Sequence, residues 1–152
     1  MNTIDRIFLN YKHDILYRLG NAATSDKQIN EAGEQLFKSK WRGCFSWDDF
    51  NFNSITPNTY YVLNTGNRRS PGYHWVGLYI GAGKTLYVYD SFGRKTKLIL
   101  RVFTDRVRNH GYKIVESNPD KEQHVGSSVC GVLSLAWLCF VKHNGISPAL
   151  EI

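Results

Sequence analysis

Apolar residues at helical spacing dominate the first part of the chain. Between residues 4 and 19, apolar side chains recur every three or four positions with polar residues between them, which predicts an amphipathic helix. Thr3 can cap the start of this helix and Gly20 its end. A second, shorter helix is expected after Ser25 or Asp26, since either residue can serve as its N-cap. The apolar positions of the second helix are Ile29, Ala32, Leu36 and Phe37.

Runs typical of β-strands occupy the middle of the chain. An aromatic-rich stretch from 41 to 57 is expected to be irregular, and three runs rich in β-branched and aromatic residues follow it, at 59–64, 73–80 and 86–90. Turns that contain glycine separate these runs. A further strand is predicted at 112–115.

Two more helices are predicted in the second half of the chain. Residues 97–110 have helical spacing, and Gly111 would end that helix. The last helix would be capped by Ser127 or Ser128 and run to His143, and it is apolar nearly all round, so we expect it to be buried. The side chains of the 97–110 helix expected to point inward are Leu98, Ile99, Val102, Phe103 and Val107.

This order of elements predicts an α+β fold. We expect a mixed central β-sheet packed by helices, with the buried last helix carrying Cys130 at its N-terminus. The chain of 152 residues fits one domain, so residues 1–152 are predicted to form a single unit.

Composition excludes several classes of protein. Hydrophobic residues make up 42% of the chain and charged residues 21%, which rules out global disorder and collagen-like repeats. The longest strongly apolar run, Val129–Val141, has 13 residues and is too short to span a bilayer. The first helix carries charged residues, so it does not resemble a signal peptide. We therefore expect a soluble protein that is not secreted and does not contact membranes.

Cysteine spacing points away from a metal site. The three cysteines form no C-x-x-C pair, so neither structural zinc nor a redox dithiol is predicted.

Positive charge is concentrated in one segment. The net charge is +6, and residues 94–113 hold seven basic residues against the single acidic Asp105. Such a patch fits either a polyanionic partner such as DNA or a solvated helix face, and the sequence favours neither. The candidate nucleic-acid contacts are Arg94, Lys95, Lys97, Arg101 and Arg108.

Cys130 is the leading candidate for a nucleophile. It falls in the first turn of the buried helix, where free N–H groups and the helix dipole favour a thiolate. Gly131 beside it would leave room for a substrate. An inert core thiol is the commoner fate of such a residue, and Cys139 fits that description; Cys44 stays open.

His74 is the best candidate for the base that a thiol nucleophile needs. It alone of the five histidines is embedded in a strand, whereas His110 and His143 fall at helix ends. His13 lies on the polar side of the first helix, and His124 is the runner-up in a loop. A buried, merely satisfied histidine is the competing interpretation of His74.

Two further residues could complete an acyl-transfer site. Asp90 ends the strand after the one that His74 begins, so antiparallel pairing would bring the two side chains together. Asp90 could then hold the imidazole tautomer, although a turn aspartate is also reasonable. Gln123 could donate to an oxyanion together with the backbone N–H of Cys130.

These residues resemble the adenain family of viral maturation cysteine proteases and, more distantly, the proteases that remove SUMO and ubiquitin-like modifiers. The resemblance covers roughly residues 25–142. The matching segments are Asn64-Thr65-Gly66, Gly72-Tyr73-His74-Trp75, Tyr87 to Gly93, and Gln123 followed by Ser128-Val129-Cys130-Gly131. An upstream aromatic and glycine segment, Trp41 to Ser46, is similar to one in viral members.

The resemblance implies a division of roles. Cys130 would be the nucleophile, His74 the general base and acid, and Asp90 the group that orients it. Gln123 and the Cys130 N–H would form the oxyanion hole, and Trp75 would pack beside the histidine in the substrate cleft. The family cuts after small residues, often in glycine-containing motifs.

The resemblance also implies partners. Capsid and core precursor proteins would be the substrates, and the protein would act as a monomer in the virion and the host cell interior. No cofactor is required, but DNA or a peptide could activate the enzyme. In the viral family, an activating peptide can be attached to the protease through a disulfide with one of its cysteines. This disulfide is not expected here, because Tyr112 occupies the position of that cysteine.

Two rival functions remain open at the level of sequence. The first is a deconjugating protease that acts on a ubiquitin-like tail. The second is a non-catalytic, basic capsid or nucleic-acid-binding protein on the same fold.

Overall fold

Six α-helices and five strands make up the part of the chain that the computed structural model describes, residues 2–20, 25–66, 74–117 and 129–152. The helices are α1 (Thr3–Leu19), α2 (Asp26–Phe37), α3 (Thr96–Ile99), α4 (Arg101–Asn109), α5 (Cys130–Asn144) and α6 (Ile146–Ala149). The strands are β1 (Trp41–Ser46), β2 (Thr59–Asn64), β3 (Trp75–Gly81), β4 (Thr85–Tyr89) and β5 (Lys113–Glu116).

The five strands form one mixed sheet in the order β1-β2-β3-β4-β5. The two outer pairs, β1 with β2 and β4 with β5, are parallel, and the inner pairs are antiparallel. The predicted α+β fold, a mixed sheet packed by helices, is confirmed.

Helices cover both faces of this sheet. Alternate residues of a strand point to opposite faces, and in β2 Tyr60 and Val62 join the core beneath α1, α2 and α5, whereas Tyr61 and Leu63 join the core beneath α4. Because both faces are covered, every residue of β2 is buried.

Helix α5 is the most deeply buried helix in the described part of the chain. All residues from Cys130 to Val141 are buried. The helix approaches β3 closely at Gly77, where an added Cβ would lie 3.3 Å from the backbone oxygen of Ser134. The hydroxyl of Ser134 donates to the backbone oxygen of Trp75 at 3.3 Å. This contact ties the first turns of α5 to the start of β3.

Residues 41–57 were predicted to be irregular, but Trp41–Ser46 form an edge strand. The side chain of Asn30 on α2 supports the strand. Its oxygen accepts from the Trp41 indole and the Cys44 N–H, and its nitrogen donates to the Cys44 oxygen. Gly43 has a φ of 136°, which favours glycine and lies where the pairing with β2 shifts register.

The predicted helix at 97–110 is in fact two helices. The backbone of Leu100 (φ −140°, ψ 55°) interrupts it between α3 and α4. The break changes the helical phase, so that Leu100, Phe103 and Val107 are buried. Leu98 and Val102, predicted to point inward, are 73% and 49% exposed.

The ends of the helices are capped partly as predicted. Asn2, not Thr3, caps α1 by accepting from the Asp5 N–H at 2.8 Å. Ser25 caps α2 in a reciprocal bond pair with Gln28. The N-cap of α5 is Val129, so the predicted serine cap is wrong; Ser127 and Ser128 themselves lie outside the described residues.

Among the described residues, no helix is long and apolar enough to cross a membrane.

A close contact between α2 and β1 yields a test of the packing. A Cβ on Gly33 would lie 2.2 Å from Cε2 of Trp41, whose ring stacks on Phe37 and donates to Asn30. Because the indole cannot move freely, we expect Gly33→Ala to lower the free energy of unfolding by about 1–3 kcal/mol despite its gain in helix propensity. Urea unfolding measures this, with Gln35→Ala on the exposed side of α2 as control. Equal stability of Gly33→Ala and wild type would contradict the packing described.

Candidate active site

The β3–β4 hairpin brings His74 and Asp90 together. His74 immediately precedes β3 and Asp90 immediately follows β4, and the antiparallel register pairs Gly77 with Tyr89. Continued past the strand ends, that register places Asp90 opposite Val76, two positions along from His74. His74 and Asp90 are therefore diagonal neighbours on one face of the hairpin, and Nε2 of His74 contacts Oδ1 of Asp90. Only 7% of the His74 side chain and 3% of the Asp90 side chain are exposed. The contact is the one that the strand pattern predicted.

Asp90 is a fully satisfied carboxylate. Oδ1 also accepts from the Phe92 N–H at 3.1 Å, and Oδ2 accepts from both the backbone N–H and Nε of Arg94, each at 3.0 Å. Burial alone raises the pKa of Asp90, but the bonds from His74, Arg94 and Phe92 outweigh burial and lower it. Asp90 is therefore an anion beside the imidazole.

The imidazole of His74 is held on its face as well as its edge. It stacks on the Phe92 ring with centroids 4.7 Å apart and planes 17° apart. Burial lowers the pKa of His74, but interactions with the side chains of Asp90 and Cys130 outweigh burial, so the pKa is raised overall. Nδ1 is buried and has no hydrogen-bond partner among the described residues. Because Nε2 is committed to Asp90, Nδ1 is the nitrogen left to interact with the Cys130 sulfur.

Cys130 is the first residue of α5 and is 3% exposed. Burial raises the pKa of its thiol, but the His74 side chain and the backbone N–H groups of Trp75 and Gly131 lower it by a larger amount. The N-terminal end of the α5 dipole acts in the same direction. The sulfur is thus in a position that favours the thiolate.

The other two cysteines are in the opposite situation. Burial and the neighbouring Asp26 carboxylate raise the pKa of Cys44, whose sulfur lies 3.5 Å from Asp26. Burial raises the pKa of Cys139 to about 12. Of the three cysteines, Cys130 is the one whose pKa is lowered.

Trp75 is anchored from a different element. Its indole N–H donates to Oδ1 of Asp26, at the start of α2, at 2.6 Å. The backbone of Trp75 contacts the Cys130 sulfur, and its ring packs against the core under α5. Asp26 therefore links α2 to the candidate site.

The remaining predicted site residues are distributed over several places. Gln123 and His124 lie outside the described residues. His110 contacts the Arg106 oxygen at the end of α4, and His143 stacks on Tyr11, as residues at helix ends.

The predicted nucleic-acid contacts divide into two groups. Lys97, Arg101 and Arg108 are exposed and line one surface groove of about 460 Å³. Arg94 instead binds Asp90, and Lys95 lines a different cavity of about 220 Å³ next to Arg94. The five residues therefore line two cavities and not one.

Sequence reasoning missed two residues of the site. It placed Arg94 in the basic patch, and the only available signal for its actual contact was its position four residues after Asp90. It considered Asp26 only as a helix cap. Asp26 and Trp75 are 49 positions apart in the chain, and no sequence pattern signals their hydrogen bond.

Comparison with models of known protein families gives no match, and comparison with curated protein sequences gives none either. Among the described residues, no three His, Cys, Asp or Glu side chains are grouped so that they could hold a metal ion.

Selective alkylation tests the environment of Cys130. At about pH 6.5, a low dose of iodoacetamide is expected to modify Cys130 before Cys44 and Cys139, because alkylation requires the thiolate. Peptide mass spectrometry measures the three rates, and protein unfolded in urea, where the thiols should react alike, is the control. A Cys130 that reacts no faster than Cys139 would refute the lowered pKa.

Proposed function

We propose that this protein is a cysteine endopeptidase. The observation that supports the proposal is the arrangement of three side chains: Asp90 binds the His74 imidazole, and His74 and Cys130 are close enough that each shifts the pKa of the other. A carboxylate, an imidazole and a thiol of lowered pKa in that order are the groups that thiol-dependent acyl transfer needs.

The proposed reaction has two stages. The Cys130 thiolate attacks the peptide carbonyl carbon, and the C–N bond breaks as Nδ1 of His74 gives its proton to the leaving amine. Water then attacks the thioester, with His74 taking its proton, and the thiol is released from the acid product. Asp90 stabilises the imidazolium by accepting from Nε2 throughout.

The developing oxyanion needs donors. We assign these to the backbone N–H of Cys130 at the start of α5 and to the side chain of Gln123. The Gln123 assignment rests on the sequence resemblance alone.

Substrates are proposed to be viral capsid and core precursors, cut after glycine-containing motifs, with Trp75 and Gly131 lining the cleft. The support is the resemblance of residues 25–142 to viral maturation proteases. Incubating the protein with the structural proteins encoded beside it, and sequencing the new N-termini, tests this. New termini after small residues are expected, and unchanged precursors would argue against a maturation protease.

A deconjugating protease would share the same three side chains. Ubiquitin and SUMO probes activated at the C-terminus separate the two functions. Slow or absent labelling of Cys130 is expected, whereas rapid labelling would favour the deconjugating alternative.

Binding of DNA is a second candidate property, favoured by the groove that Lys97, Arg101 and Arg108 share. Cleavage rates with and without DNA across a salt series test it, since neutralised phosphates make affinity salt-dependent. Rates that respond to neither DNA nor salt would remove DNA as an activator.

A further inference from the structure

The two oxygens of Asp90 have different partners. Oδ1 faces His74, whereas Oδ2 receives the Arg94 backbone N–H and Nε. A bond from a guanidinium to a buried carboxylate is charge-assisted and stronger than a neutral one. Arg94 thus fixes the rotation of the same carboxylate that holds the imidazole.

Arg94 reaches His74 by a second path, through stacked rings. Its guanidinium carbon lies 4.8 Å from the Phe92 ring centroid, and the Phe92 ring stacks on His74 at 4.7 Å. Cation–π attraction from the guanidinium restrains the Phe92 ring, on which the imidazole stacks. The layer of Arg94, Phe92 and His74 restrains the ring face, while Asp90 restrains its edge.

Other charged and titratable groups also surround this cluster. Tyr89, buried, interacts with both Asp90 and Cys130, and burial raises its pKa, so it stays neutral. Lys95 and Glu116 line the cavity beside Arg94, and Glu116 accepts from the Thr96 N–H at 2.7 Å. Arg94 is the cation that touches Asp90 directly, and 41% of its side chain is exposed.

We propose that Arg94 is a positioning residue for the proposed reaction: through Asp90 and Phe92 it holds the His74 imidazole toward Cys130 and thereby keeps the Cys130 thiolate populated. The part of this inference that concerns catalysis rests on the proposed function. The effect of the Arg94 guanidinium on the Cys130 thiol, which it does not touch, can be measured without any substrate.

Removing the guanidinium changes the pKa of the thiol in three ways. A positive charge is lost from the site, and the Asp90 carboxylate is freed to rotate away from His74, which weakens the imidazolium that stabilises the thiolate; both raise the pKa. The Asp90 charge is also no longer partly neutralised, which strengthens its attraction for the imidazolium and acts in the opposite direction. The proposal requires the first two effects to be larger, so an upward shift supports it and a downward or unchanged pKa contradicts it.

The test measures the alkylation rate of Cys130 against pH in Arg94→Gln and Arg94→Lys. Arg6→Gln, which removes an exposed arginine on α1, is the matched control. We expect the inflection in Arg94→Gln to move up in pH and the rate at about pH 6.5 to fall about 3- to 10-fold, as a pKa rise of half a unit to one unit requires. Arg94→Lys keeps the charge without the planar fork and should lie between.

A thermal unfolding midpoint, measured in parallel, separates positioning from general stabilisation. A folded Arg94→Gln variant with a lower midpoint but an unchanged inflection would overturn the proposal. If Arg94→Gln does not fold, Arg94→Lys decides in the same way, and an unchanged inflection there would also overturn it. A shifted inflection in a protein that cleaves no peptide would sustain the role of Arg94 and count against the protease.

Discussion

Cys130→Ala is expected to abolish cleavage of a glycine-containing peptide, lowering kcat/KM by at least about 1,000-fold. In the proposed mechanism the sulfur forms the covalent bond to the acyl group, and no other cysteine has a thiol of lowered pKa to replace it. Stability should change by no more than about 1–2 kcal/mol, because the substitution removes one buried atom.

Cys139→Ala is the matched control for this experiment. Cys139 is buried in the same helix, but its pKa is raised and its sulfur belongs to the core. Full activity in Cys139→Ala and none in folded Cys130→Ala would assign the nucleophile. Activity retained by Cys130→Ala would exclude the proposed mechanism.

The pairing of His74 with Asp90 was predictable because it depends on short-range pattern. Two strands joined by a short turn pair antiparallel, so the residue before the first strand and the residue after the second meet at one end. The sequence showed both strands clearly, and their register needed no long-range information. The apolar run from Val129 placed Cys130 in the first turn of the last helix, although the cap of that helix is Val129 and not the predicted serine.

The contacts that hold the site and the elements around it in place were not predictable from sequence pattern. The hydrogen bond from Trp75 to Asp26 joins elements 49 residues apart, and neither residue type signals it. The strand at Trp41–Ser46 depends on the side chain of Asn30, which looks like an ordinary helix residue in the sequence. The break at Leu100 lies in the backbone angles of one residue, which apolar spacing alone cannot show.

The residues of the candidate site fall into two groups, those proposed to react and those that hold them in place. The groups proposed to react are placed by strand register and a helix start, whereas Arg94, Phe92 and Asp26 hold them through contacts that sequence patterns do not reveal. Sequence motifs therefore identify the reacting groups of such a site, but they do not show which contacts hold those groups in place.

Asp90→Asn is expected to lower kcat/KM by about 100- to 10,000-fold without removing any atom that reacts. The asparagine amide can offer an N–H where His74 now finds an acceptor. Nε2 would then become the acceptor, and the single proton of the neutral imidazole would move to Nδ1. Nδ1 could then no longer take a proton. Arg94 would also lose the anion that its guanidinium binds.

The pH profile of Asp90→Asn distinguishes this mechanism from simple misfolding. The proposed mechanism needs the Cys130 thiolate beside protonated His74, and the lowered thiol pKa and the raised imidazole pKa both widen the pH range in which that pair exists. Removing the carboxylate lowers the pKa of His74 and, by weakening the imidazolium, raises that of Cys130. The active range should therefore narrow from both sides, measured as kcat/KM against pH with Asp14→Asn, an exposed carboxylate on α1, as control. A folded Asp90→Asn enzyme with the wild-type rate and profile would show that Asp90 is only a turn residue.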